Sequence, residues 1–93
     1  DIFGIYFENN LIYRNTDEGN MLSTIIAQKS RFKKNAFLYT VENSLFIKWF
    51  KDETCDKYKY SNTKLVHYAI ISENDWIDVI SISKPTIKLL TAV

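Results

Sequence analysis

The sequence predicts an α+β fold, an antiparallel sheet of about five strands built from hairpins and packed against one main amphipathic helix over residues 17–34. Two observations carry this expectation. Aromatic and β-branched runs recur in pairs around turn-forming residues, and one stretch alone has sustained helical spacing. With 46% hydrophobic and 15% aromatic residues against two Gly and one Pro, the chain can bury a core and does not have the composition of a disordered segment.

Taken in order, Ile2 to Phe7 and Leu11 to Arg14 flank Glu8-Asn9-Asn10 and predict a first hairpin. Thr16 can cap a helix, Asp17 and Glu18 place acid in its first turn, and Met21, Leu22, Ile25, Ile26 and Phe32 follow on one face. Lys29, Arg31, Lys33 and Lys34 suit the negative end of its dipole, and Asn35 can take the left-handed residue that ends it. Ala36 to Val41 and Leu45 to Phe50, around Glu42-Asn43-Ser44, predict a second hairpin.

Lys51 to Lys57 is a charge-mixed loop by composition, followed by a short edge strand at Tyr58-Lys59-Tyr60 guarded by lysines. Lys64 to Ile71 predicts a central strand. Beyond it two readings stand: Ser72 to Asp75 caps a second short helix over 73–83, or Val79, Ile80 and Ile82 belong to a strand. Pro85 interrupts pairing before a final short element of either type from Thr86 to Val93.

Ninety-three residues hold one hydrophobic core and predict a single domain over 1–93. The net charge of +1 gives no global field to draw in nucleic acid. A single cysteine, Cys55, allows no internal disulfide, which favours a reducing compartment. Neither a basic region followed by an apolar signal stretch nor an apolar run of about 20 residues is present, so the expectation is a cytoplasmic protein with no membrane contact.

Catalytic chemistry is sparse in the sequence. The only histidine, His67, stands in an apolar strand, where a half-buried ring satisfied by backbone or a neighbouring hydroxyl is expected. Cys55 has no recognisable oxyanion partner and reads as an ordinary free thiol. One Cys and one His cannot make a structural zinc site, and glycines only at Gly4 and Gly19 leave no phosphate-cradling loop. Glu73, Asp75 and Asp78 suit a helix N-terminus better than a magnesium site. The expectation is therefore a non-enzyme with no catalytic, cofactor or metal residues, in which a minimal ribonuclease using His67 and a lysine is the remotest reading.

Two features point to partners. Acids lie beside rings in two segments: Trp49, Asp52, Glu53, Asp56, Tyr58 and Tyr60, and then Glu73, Asp75, Trp76 and Asp78. A ring supplies desolvated contact and the acids complement a basic cleft, which makes these the expected partner-binding residues. The basic run Lys29 to Lys34 with Lys57-Tyr58-Lys59-Tyr60 has the interleaving that single-stranded nucleic acid favours, so the alternative is a small phage- or plasmid-type nucleic-acid-binding regulator.

The opening Ile2-Phe3-Gly4-Ile5-Tyr6, ahead of an aromatic-rich body with few glycines and one cysteine, resembles the small cytoplasmic immunity proteins of bacterial contact-dependent growth inhibition systems. The resemblance covers a few residues. It implies a protein that binds the C-terminal toxin domain of a cognate effector, often a nuclease, and occludes its active site as a monomer in a one-to-one complex. The near-neutral charge departs from the acidic balance of many such proteins and weakens a nucleic-acid-mimic mode.

Overall fold

The computed structural model describes residues 2–17, 20–21, 36–59, 64–72 and 75–90. Its elements are β1 (Ile2–Tyr6), β2 (Asn10–Asp17), β3 (Leu38–Thr40), α1 (Leu45–Glu53), β4 (Val66–Ile71), β5 (Asp75–Ser81) and β6 (Thr86–Leu90). The fold is α+β, with a helix packed on an antiparallel sheet, as the sequence predicts. The strands form a four-stranded sheet in the order β2-β5-β4-β3 and a separate β1-β6 ribbon.

The expected first hairpin does not form. β1 pairs with β6, Gly4 opposite Lys88, while β2 pairs with β5, Tyr13 opposite Val79. Both segments are strands, as the sequence suggests, but each pairs with a partner remote in the chain. The predicted helix over 17–34 lies almost wholly outside the described residues; Asp17 itself ends β2, opposite Asp75.

The second hairpin is also replaced. Leu38–Thr40 is a strand, but Leu45–Glu53 is a helix. Ser44, extended at φ −68° and ψ 120°, is its N-cap, and its Oγ accepts the Ile47 N–H at 3.1 Å. No acid or amide side chain stands at the third helical position, Ile47, so the capping-box signature is absent and the β-prone residues after Ser44 misdirect a local reading. Burial decides the conformation: Phe46 and Phe50, one helical turn apart, pack on Ile80 with Leu11, Ile12, Ile47, Tyr58 and Leu65 around them. A β-bulge between Asn10 and Ile12 inserts Leu11, which lets two consecutive residues of β2 reach this cluster.

α1 ends in a Schellman motif. The Cys55 N–H donates to the Asp52 carbonyl at 3.2 Å and the Asp56 N–H to the Lys51 carbonyl at 2.7 Å, with Cys55 left-handed at φ 51°. The chain then continues in turns through Lys59, so the expected edge strand at Tyr58 and Lys59 is absent and Tyr60 lies outside the described residues.

β4 is interior, as expected for 64–71. The second short helix over 73–83 is not formed; β5 occupies the centre of the sheet instead. Ser72, the expected cap, closes the β4–β5 connection: its Oγ accepts the Asp75 N–H at 3.2 Å and its N–H donates to the Asp75 carbonyl at 3.0 Å. The final element is strand β6. Tyr68 and Val79 are buried on the sheet's second face, where Phe7 meets the Tyr68 ring edge-on at 5.6 Å. No helix among the described residues is long and apolar enough to cross a membrane.

A left-handed residue other than glycine costs about 1–2 kcal/mol, partly offset by glycine's greater freedom in the unfolded chain. Cys55→Gly is expected to stabilise the protein by about 0.5–1 kcal/mol, read as a higher urea midpoint at unchanged m-value.

Candidate functional site

Alternation along the strands builds one polar row beneath α1. Pairing places His67 opposite Ile80, Ala69 and Arg14 opposite Asp78, and Thr16 opposite Trp76, all on the face that also carries the Phe46 and Phe50 contacts. Asp78, only 1% exposed, is the centre of this row. Its Oδ1 accepts from Trp76 Nε1 at 3.0 Å and lies 2.6 Å from His67 Nε2, while Oδ2 accepts from Arg14 Nε at 3.0 Å. The Arg14 guanidinium also covers the Phe46 ring at 4.1 Å from its centroid.

Burial pushes the Asp78 carboxyl upward, but the hydrogen bonds from His67, Arg14 and Trp76, together with the His67 charge, outweigh it and hold the group below the ordinary aspartate range. Asp78 is therefore an acceptor, which places a proton on His67 Nε2. In the neutral ring the other nitrogen, Nδ1, is then an acceptor, and Ser44 Oγ lies 2.6 Å from it. In that tautomer the hydroxyl donates to Nδ1 while accepting the Ile47 N–H, and each polar atom of the chain Ser44–His67–Asp78 has a partner. No buried side-chain nitrogen or oxygen among the described residues lacks one.

The outer end of this chain faces solvent. An open cavity of about 600 Å³ lies between the β3–α1 turn and the start of β4, lined by Val41, Asn43, Ser44, Ile47, Leu65 and His67 among others. Glu42 and Lys64 add charges of opposite sign at its wall. Asn43, at φ 52°, makes the turn that presents Ser44 here.

The residues expected at a partner surface divide. Trp49, Asp52 and Glu53 are exposed on α1, and Asp56 and Tyr58 follow in half-buried turns. Tyr58 stacks on Phe50 at 5.7 Å between centroids, with Lys57 Nζ 5.2 Å from its ring, so it finishes the core edge. Asp75 is exposed at the start of β5. Trp76 and Asp78 are corrections to the expected surface: at 5% and 1% exposure they are interior groups, with Trp76 Nε1 donating to Asp78 Oδ1. Strand alternation on an interior strand, which the helical reading of 73–83 misses, is the reason. Tyr60, Glu73 and the basic run Lys29, Arg31, Lys33 and Lys34 lie outside the described residues.

Ser44, His67, Asp78 and Arg14 form a cluster that no local motif announces, since 23 residues separate Ser44 from His67, and 64 separate Arg14 from Asp78. The single histidine was the one available signal. It does find a hydroxyl, as expected of a buried ring, and also a carboxylate. Among the described residues no group of three or more His, Cys, Asp or Glu could hold a metal ion. Comparison with known proteins found no matching family model, no matching curated protein and no matching solved structure.

Since the folded-state pKa of Asp78 lies below its unfolded value near 3.8, its contribution to stability is complete above that pH and disappears as pH falls through the folded value. Asp78→Asn is expected to cost about 2–4 kcal/mol at pH 7, because the buried carboxylate that Trp76, Arg14 and His67 surround loses its charge and part of its accepting capacity, and to flatten the fall in stability as pH drops below about 3.8. Chemical denaturation at pH 7 and through the acid range below it checks both effects.

Proposed function

We propose that the protein is a cytoplasmic, immunity-type inhibitor that binds a cognate bacterial toxin domain, of nuclease type, and occludes its active site as one monomer per toxin. One observation supports this most: α1 shows Leu45 at 80% and Trp49 at 48% exposure on one flank, one turn apart, beside the exposed carboxylates of Asp52 and Glu53. Large apolar groups held on a rigid helix lose little freedom on docking, and acids beside them suit a cleft lined with the cations that bind nucleic acid. Trp49 is further fixed by stacking on Phe46, at 5.9 Å between centroids and 12° between planes.

The proposed contact surface is the outer flank of α1 together with Asp56, and it drops the 73–78 segment whose ring and central acid are interior. The Trp49 ring supplies the energy and Asp52 and Glu53 the orientation. Titration calorimetry against the product of the neighbouring gene tests the reading. Trp49→Ala is expected to weaken the complex about 30-fold or more, Asp52→Ala less than that, and Lys59→Ala hardly at all. No binding tighter than micromolar by the wild type would overturn it.

A further inference from the structure

A helix N-cap needs one hydroxyl and one N–H, and Ser44 has that bond with Ile47. It does not need a buried imidazole and a buried carboxylate behind it. Burying an imidazole and a carboxylate carries a desolvation cost, and an aliphatic residue at position 67 would pack opposite Ile80 and against Phe46 without it. The pair occurs where a cavity meets the Ser44 hydroxyl, and the order of bonds is that of a proton relay: hydroxyl to imidazole at 2.6 Å, imidazole to carboxylate at 2.6 Å.

We propose that Ser44 is the nucleophile of an acyl-transfer site, with His67 as its general base and Asp78 as the residue positioning the imidazole, and that the cavity beside it admits small carboxylic esters. This goes beyond the binding reading and does not depend on it, since the docking flank of α1 and the cavity mouth use different residues.

The reaction closes without any further reagent. As Ser44 Oγ bonds to the acyl carbon, its proton passes to His67 Nδ1, and the negative charge of Asp78 stabilises the imidazolium through Nε2–H. The bond from carbon to the alcohol oxygen breaks, and that oxygen takes the proton from Nδ1. Water then attacks the acyl-serine, giving its proton to Nδ1, and the carbon–Oγ bond breaks as Ser44 recovers the proton. The products are a carboxylic acid and an alcohol. The two ring nitrogens exchange the places they hold in the serine-protease template, but either nitrogen is a base when the other carries a proton held by a carboxylate.

Charge developing on the substrate has donors at hand. The first N–H groups of a helix have no partner within it, and those of Leu45 and Phe46 adjoin Ser44 at the positive end of the α1 dipole. Val41, Ile47 and Leu65 give the cavity an apolar wall for a short acyl chain.

The test uses the free protein, so its outcome is separate from that of partner binding. A fluorophosphonate probe transfers its phosphonyl group to an activated serine with loss of fluoride, and peptide mass mapping locates the adduct. The expected results are labelling of the wild type at Ser44 and release of 4-nitrophenol from 4-nitrophenyl acetate. Ser44→Asn keeps a good N-cap and a donor to Nδ1 but has no nucleophile, and is expected to abolish both. His67→Gln is expected to slow labelling about 100-fold or more. Asp78→Asn is expected to lower the limiting labelling rate while leaving the half-saturating probe concentration unchanged, a split that a simple loss of stability would not produce. Labelling of Ser44 no faster than of the chain's other serines, or ester hydrolysis that survives in Ser44→Asn, overturns the proposal even if the His67 variant fails to fold.

Discussion

The structure depends on one buried carboxylate. Asp78 accepts from residues of β2, β4 and β5 at once, and through His67 it reaches the hydroxyl that starts α1. A carboxylate taken out of water is tolerable only when its lone pairs are filled, and the filling here leaves no freedom in how the sheet is assembled. Slipping β4 by one residue against β5 would turn His67 to the opposite face and take its imidazole away from both Asp78 Oδ1 and Ser44 Oγ. The register of the central strands is thus set by polar satisfaction as well as by apolar burial.

The same constraint orients the helix. Ser44 ties its N-terminus to His67, and Phe46 and Phe50 seat its inner face on Ile80. With both ends of that attachment fixed, Leu45 and Trp49 have nowhere to turn but outward. An exposed leucine and an exposed tryptophan are thereby a consequence of how α1 is anchored, and the proposed docking flank and the proposed nucleophile are two products of a single seating. They occupy different sides of the helix: the flank looks away from the sheet, whereas Ser44 opens on the cavity beside β4.

Two serines show why the sequence is legible in part. Ser44 stands among turn formers ahead of β-prone residues and reads as part of a hairpin, yet it caps a helix. Ser72 stands ahead of acids and reads as a cap, yet it closes a turn between strands. In both places Oγ accepts the N–H three residues on, at 3.1 Å and 3.2 Å. The local bond is the same, and the following chain decides what it serves. Phe46 and Phe50 bury most as one helical face, and Trp76, Asp78 and Ile80 bury most as one face of an interior strand. Among the expected site residues the same logic applies: Trp49, Asp52 and Glu53 remain at the surface, while Trp76 and Asp78 are drawn inside because β5 has neighbours on both edges.

By itself the sequence determined the α+β class, the interior strand within 64–71 and the turn-forming character of residues 42–44, because each of these follows from bonds and periodicities spanning a few residues. Tertiary structure decided which strands pair, that 45–53 is helix, and that Ser44, His67, Asp78 and Arg14 meet. Those outcomes compare the burial and hydrogen-bond satisfaction of segments far apart in the chain, and no window short enough to read locally contains both sides of the comparison.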